Sequence, residues 1–272
     1  MQTLLHRGCP LAYKVDGNGP PVVFIQGVGL HGDGWKPQVD GLSAKFQCLS
    51  FDNRGMGRSQ PIGASVTVEQ MAEDTLVLMD TLGWESAHVV GHSLGGLVAQ
   101  HLGLTARDRV RSLSLLCTVA RGADATRLSA WMLAVGLRTR IGPRRGRRMA
   151  FLKIVMPPEV LATADRDALA AELAPFFGHD LADQPPVAMK QLSALRAYDA
   201  TNRLRELAGI PTLVVSARYD RIAPPDRGRA LADGIPQARF VEFSDASHGV
   251  TIQLAGRINH LLDSHFSGHQ VS

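Results

Sequence analysis

A chain of 272 residues, 45% hydrophobic and 20% charged, is long enough to bury a sizeable core and too apolar to remain disordered. Its net charge of +4 is modest for that length and gives no general reason to expect a nucleic-acid partner. No apolar run reaches the ~18–20 residues of a membrane span, so no membrane partner is expected, and the N-terminal MQTLLHRGCPLAYKV lacks the basic-then-apolar order of a secretory leader. Cys9, Cys48 and Cys117 are odd in number and far apart, which fits reduced thiols in a cytoplasm better than a disulfide framework. No Cys/His spacing suits a zinc site, and no metal is expected.

In chain order, LAYKV and VVFIQG read as strands joined by the turn DGNGPP, because β-branched residues are punctuated by Gly and Pro. The segment GWKPQVDGLSAKF has helical apolar spacing and leads to a third run, FQCLSFD. A helix follows in TVEQMAEDTLVLMDTLGW, where Thr67 and Gln70 resemble a capping box. SAHVVG is the fourth run, LGGLVAQHLGLTA the next helix and VRSLSLLC the fifth run. From 121 to 190 the rhythm breaks into Ala-, Arg-, Leu- and Pro-rich segments that read as inserted helices. PTLVVSA, ARFVEF and the helical VTIQLAGRINHLLDSHF then resume the pattern. Continuous apolar strands alternating with helices predict an α/β fold with a mainly parallel sheet covered on both faces.

The segment VVGHSLGGLVAQ places Ser93 between a strand and a helix, with Gly91 and Gly95 two residues away on either side. This G-x-S-x-G setting exposes a nucleophilic serine on a sharp turn at the carboxyl end of a sheet. A P-loop or a dinucleotide fingerprint would need a lysine or glycine spacing that is absent here. A serine hydroxyl needs a base. Of ten histidines, His248 in SDASHGV is the candidate, because a loop at the carboxyl end of a strand is where an open α/β sheet meets its ligand. His92, beside Ser93, is expected to point away from the pocket and pack behind it. Asp220, just past the run LVVSA, is the candidate acid that orients the base, with Asp124 in reserve. Asp245 is too close to His248 in sequence for that geometry.

With these residues in place, the chain resembles the α/β-hydrolase superfamily over nearly its whole length, most strongly over 20–120 and 205–270. The order Ser93, Asp220, His248 is that of its serine hydrolases. FIQGVGLHGDGW resembles the loop that supplies half of the oxyanion hole, and by that resemblance the donors are the backbone N–H groups of Val28 and Leu94. Gln26 stands where the family often has histidine. FDNRGMGRS is similar to the family's D-x-R-G-x-G-x-S turn, so Asp52 and Arg54 are expected to pin loops beside the pocket. The likeness is to small bacterial serine esterases and to 3-oxoadipate enol-lactonase-like hydrolases. It implies a core domain of 1–120 and 191–272 and a helical cap of 121–190. It also implies hydrolysis of a carboxylic ester or lactone through an acyl-enzyme, without metal or organic cofactor.

Candidate substrate contacts are His31, in a loop near the site, and Trp131, Phe151 and Phe176 in the cap, with Met132, Leu133, Met156 and Phe177 beside them. The same triad can serve C–C or thioester hydrolysis or perhydrolysis, and the same fold can serve as a ligand receptor. Six arginines in 138–148 (Arg138, Arg140, Arg144, Arg145, Arg147 and Arg148) form a basic patch without aromatic residues. It is expected to be a solvated, ion-paired surface, or else a dock for an acidic carrier protein, but not for nucleic acid. Nothing in the sequence sets the oligomeric state.

Overall fold

Residues 1–126 and 130–268 are described by a computed structural model. In it the apolar runs become the strands of one sheet. The order is β1 (Gln2–His6), β2 (Cys9–Asp16), β3 (Pro21–Ile25), α1 (Lys36–Leu42), β4 (Gln47–Phe51), α2 (Val68–Thr81), β5 (Ala87–His92), α3 (Leu94–Thr105) and β6 (Val110–Leu116). A helical stretch follows: α4 (Gly122–Ala125), α5 (Ala130–Arg138), α6 (Arg144–Val155), α7 (Pro158–Thr163), α8 (Arg166–Phe177) and α9 (Ala188–Ala197). The chain ends in β7 (Thr212–Ala217), α10 (Pro225–Gly234), β8 (Arg239–Phe243), α11 (Val250–Gln253) and α12 (Ala255–Phe266).

The eight strands lie in the order β1-β2-β4-β3-β5-β6-β7-β8. β2 runs antiparallel to β1 and β4, and the other neighbours are parallel. The chain reverses its direction of travel across the sheet between β3 and β5, which is where ligands gather at the carboxyl ends of an open α/β sheet. Alternation along β3 shows how both faces are covered. Val23 and Ile25 join the cluster that includes Met71, Leu97 and Leu102 of α2 and α3, while Val22 and Phe24 join the cluster of Trp35, Ile258 and Leu262 beneath α1 and α12. No helix among the described residues is long and apolar enough to cross a membrane.

The sequence reading assigned no strand to residues 2–6. β1 and β2 form a hairpin closed by Arg7 and Gly8, both at positive φ (48° and 76°), with His6 opposite Cys9. Such a turn is usually announced by Asn-Gly or Asp-Gly, and arginine in the first place hides it. The capping box is half formed: Thr67 Oγ1 accepts the Gln70 N–H at 3.1 Å, but the Gln70 side chain turns to Arg7, Glu73 and Asp74. α9 runs through the expected boundary at 190, because Ala194 and Leu195 pack into the core cluster of α2 and α3.

The turn after β4 is pinned from within. Asp52 accepts the Gly32 N–H at 2.7 Å and the Arg58 N–H at 2.9 Å. Arg54, fully buried, grips Asp74 of α2 through Nε and Nη2 at 2.8 and 2.5 Å and donates to the Ile62 carbonyl. Truncating one partner leaves a buried charge unanswered, at a cost of about 3–5 kcal/mol. Asp74→Ala is therefore expected to lower the urea unfolding free energy by about that amount. A loss within experimental error would contradict this role for the pair.

Candidate active site

Ser93 is the single residue between β5 and α3, at φ 54° and ψ −116°. A residue other than glycine is strained there, and the surroundings must hold it. Its N–H donates to the Leu116 carbonyl at 2.9 Å, and its carbonyl accepts the Thr118 hydroxyl at 2.7 Å and the Gly96 N–H at 3.0 Å. The turn is so tight that a Cβ on Gly91 would lie 2.2 Å from the Gly95 carbonyl oxygen, and one on Gly95 would lie 2.0 Å from that of Ile25. The motif's glycines are therefore a packing requirement.

β7 and β8 bring two more candidates to the same end of the sheet. Asp220, buried just past β7, accepts the N–H groups of Ile222 and Ala223 through Oδ1 at 2.8 and 2.9 Å. Its Oδ2 faces His248 Nδ1 at 2.7 Å. An Nδ1–H donor to that carboxylate leaves Nε2 of a neutral His248 as an acceptor. The other acids are engaged elsewhere: Asp124 lies 3.6 Å from Arg227, and Asp245 pairs with Arg257 at 2.6 Å.

Ser93 and His248 line one cavity of about 290 Å³, walled by Val28, Leu30, Phe151, Ile154, Phe176 and Ile252 among others. No aspartate, glutamate, lysine or arginine lines it among the described residues. Phe151 and Phe176 thus face the cavity. Two other candidate contacts do not line it. His31 packs its ring against Gly178, where a Cβ would come within 2.1 Å of it, and Trp131 lies in a separate cleft beneath Arg221.

The loop after β3 shows why one backbone donor remains free. The Gly27 N–H is taken by Gln26 Oε1 at 3.1 Å and the Gly29 N–H by Gln191 Oε1 of α9 at 2.8 Å. His179 Nε2 donates to the Gly29 carbonyl at 2.9 Å. Between these engaged groups the Val28 N–H has no protein acceptor among the described residues. The Leu94 N–H is one of the donors that the first turn of α3 leaves without an intrahelical partner. Two unspent donors beside a serine can hold an oxyanion.

Sequence reasoning missed Gln191 and His179, which clamp this loop from the helical stretch, and it misplaced His92. Rather than packing behind the pocket, His92 lines the cavity and donates from Nε2 to the His248 carbonyl at 2.9 Å, with the two rings 4.8 Å apart. Burial pushes its pKa down to about 3, so it stays neutral. Its adjacency to Ser93 was visible in the sequence, but nothing in the spacing announced a partner in a loop so far along the chain.

His92, Cys117 and His248 place potential metal donors within 4.8 Å of one another. One nitrogen of each ring is already hydrogen-bonded, His92 Nε2 and His248 Nδ1, and burial with Asp220 nearby raises the Cys117 thiol well above its usual range, which favours its protonated form. A metal needs the thiolate, so the cluster does not suit one.

The profile of the alpha/beta hydrolase fold family matches residues 20–253. The chain belongs to that family. Over 252 residues it is 30% identical to "Putative carbamate hydrolase RutD" of Azorhizobium caulinodans, covering 93% of each chain. Among solved structures it is similar to the enol-lactonase of Burkholderia xenovorans, with 28% identity, a TM-score of 0.80 and coverage of 97% of this chain and 99% of that one. It is also similar to "Putative non-heme bromoperoxidase BpoC" of Mycobacterium tuberculosis, with 30% identity, a TM-score of 0.80 and coverage of 96% and 97%. The α/β-hydrolase fold thus comes with relatives whose names differ in reaction as well as in substrate.

The buried histidines of this α/β hydrolase set its acid sensitivity. Burial lowers His88 to about 4 and His92 to about 3, from an ordinary 6.5. The unfolded chain takes up protons below that ordinary value while the folded chain does not, so stability falls as pH drops from there toward 4. By pH 5 each of the two contributes a loss of about 2 kcal/mol. Urea unfolding at pH 7 and pH 5 checks this; an unchanged midpoint would contradict the neutral, buried state of the pair.

Proposed function

We propose that the chain is a serine hydrolase that cleaves a neutral, largely apolar carboxylic ester or lactone through an acyl-enzyme. The observation that carries the reading is the cavity: Ser93, at a strained turn, shares with His248 a pocket lined by no aspartate, glutamate, lysine or arginine among the described residues. His248 in turn is held by Asp220. In this reading His248 Nε2 takes the Ser93 proton as Oγ attacks the carbonyl carbon. The N–H groups of Val28 and Leu94 hold the oxyanion, and Asp220 steadies the imidazolium. Collapse of the tetrahedral intermediate expels the alcohol, which takes its proton from His248. Water, activated by the same histidine, then releases the acid. The helical segment 121–190 acts as the cap, because Phe151, Ile154 and Phe176 form the walls that meet the acyl group.

An unpaired carboxylate entering such a pocket loses its hydration without gaining a counter-charge. Turnover of a p-nitrophenyl butyrate is therefore expected to exceed that of the matching ester with a terminal carboxylate by about a hundredfold in kcat/KM. Ser93→Ala is expected to lower both by at least about a thousandfold. Equal rates on the two esters would contradict the assignment of the cavity to neutral acyl groups, and turnover that survives in Ser93→Ala would contradict the nucleophile.

A further inference from the structure

Three of the six arginines in residues 138–148 are neutralised by carboxylates. Arg144 pairs with Asp180 and Asp183 at 3.0 and 2.9 Å, Arg145 pairs with Asp167 at 2.9 Å, and Arg148 pairs with Asp180. Arg148 and Arg144 hold the Asp180 carboxyl well below the usual carboxylate range. Further cations without such partners converge on a concavity elsewhere. A second cleft, of about 440 Å³, is lined by Lys153, Arg166, Arg218 and Arg221 together with Trp131 and Tyr219. None of the four cations makes an ion pair among the described residues.

Two of these cations are positioned by uncharged neighbours. Arg166 Nε donates to the Leu161 carbonyl at 2.8 Å, and the Arg221 guanidinium lies over the Trp131 ring at 4.8 Å. The nearby carboxylate of Glu159 accepts the Tyr219 hydroxyl at 2.6 Å and feels the charge of Arg218 without coming within ion-pair distance of it. Mutually repelling cations around one concavity are an unfavourable arrangement that a multivalent anion relieves. Guanidinium forks suit the several oxygens of a phosphate in particular.

The cleft lies across a thin wall from the reactive cavity. Along α6, Ile154 and Val155 line the cavity while Lys153 and Met156 line the cleft, and past β7, Ile222 lines the cavity while Arg221 lines the cleft. That wall also carries the backbone around His248. The Ser247 hydroxyl donates to the Ile154 carbonyl at 3.0 Å and reaches the Tyr219 carbonyl at 3.2 Å, and the Gly249 N–H donates to the Val155 carbonyl at 3.0 Å.

We infer that this cleft is a binding site for a phosphate-bearing small molecule, distinct from the ester cavity and backed against the loop that carries His248. A cleft of this size encloses a phosphate ester rather than a strand of nucleic acid or a membrane surface. Of its two aromatic side chains among the described residues, Trp131 is covered by Arg221 and the Tyr219 hydroxyl is held by Glu159. The site does not depend on what Ser93 does.

The test is calorimetric titration of pyrophosphate into Ser93→Ala protein at low ionic strength, which separates anion binding from any hydrolysis. Saturable one-to-one binding is expected. Adding K153Q and R218Q should weaken it about tenfold or more, since each removes a charge-assisted contact. Adding R145Q, which breaks a pair in the neutralised patch, should leave it unchanged. Should the double substitution disturb the thermal melt, Arg166→Gln takes its place, with weaker binding again expected. Absence of saturable binding, or an equal loss in R145Q, would overturn the site.

Discussion

The candidate active site of this molecule depends on one backbone conformation, the positive φ of Ser93. It is affordable only because β5 and α3 are pressed together so closely that neither Gly91 nor Gly95 has room for a side chain. The clash distances involve backbone atoms, which do not move aside as a flexible side chain would. The same geometry starts α3 directly after the serine, so the free N–H of Leu94 sits beside the hydroxyl. The strain is held by two hydrogen bonds, the Ser93 N–H donating to the Leu116 carbonyl and the Thr118 hydroxyl donating to the Ser93 carbonyl, at and just beyond the end of β6. Three consecutive parts of the sheet thus cooperate to hold one residue away from its preferred geometry.

The second requirement is a backbone donor that nothing else consumes. In the loop after β3, Gln26 and Gln191 take the N–H groups on either side of Val28, and His179 fixes the Gly29 carbonyl. Two of these three tethers come from the stretch between β6 and β7. The helices that wall the cavity therefore also set the orientation of the peptide that faces it. A change in their packing alters the shape of the pocket and the aim of Val28 together. His92 plays a comparable part on the opposite side, tying the elbow to the backbone of the His248 loop.

Much of this was legible in the chain. The strands β5, β7 and β8 are short runs rich in apolar residues, and Ser93, Asp220 and His248 each follow one of them, so the parallel part of the sheet carries all three to one end. Gly91 and Gly95 were readable because only a tight turn needs them. What escaped was contact across long sequence separations and local choices that ordinary residue types can make. Arg7 occupies a positive-φ turn without the usual asparagine. Gln191 and His179 look like any polar helix or loop residue until the fold brings them to Gly29. Trp131 and Met132 are neighbours on α5, yet they face different cavities, a distinction that depends on helix rotation rather than on hydrophobicity. The acids that neutralise Arg144, Arg145 and Arg148 lie on α8 and in the loop after it, beyond the reach of any local charge pattern.

The most direct test of the central claim, that the elbow presents Ser93 as an activated nucleophile, is the mass of the intact protein after exposure to a fluorophosphonate, followed by peptide mapping. One adduct per chain located on Ser93, formed more slowly in Asp220→Asn, is the result this account predicts. Folded wild-type protein that takes up no adduct, or that carries it on another residue, would contradict it.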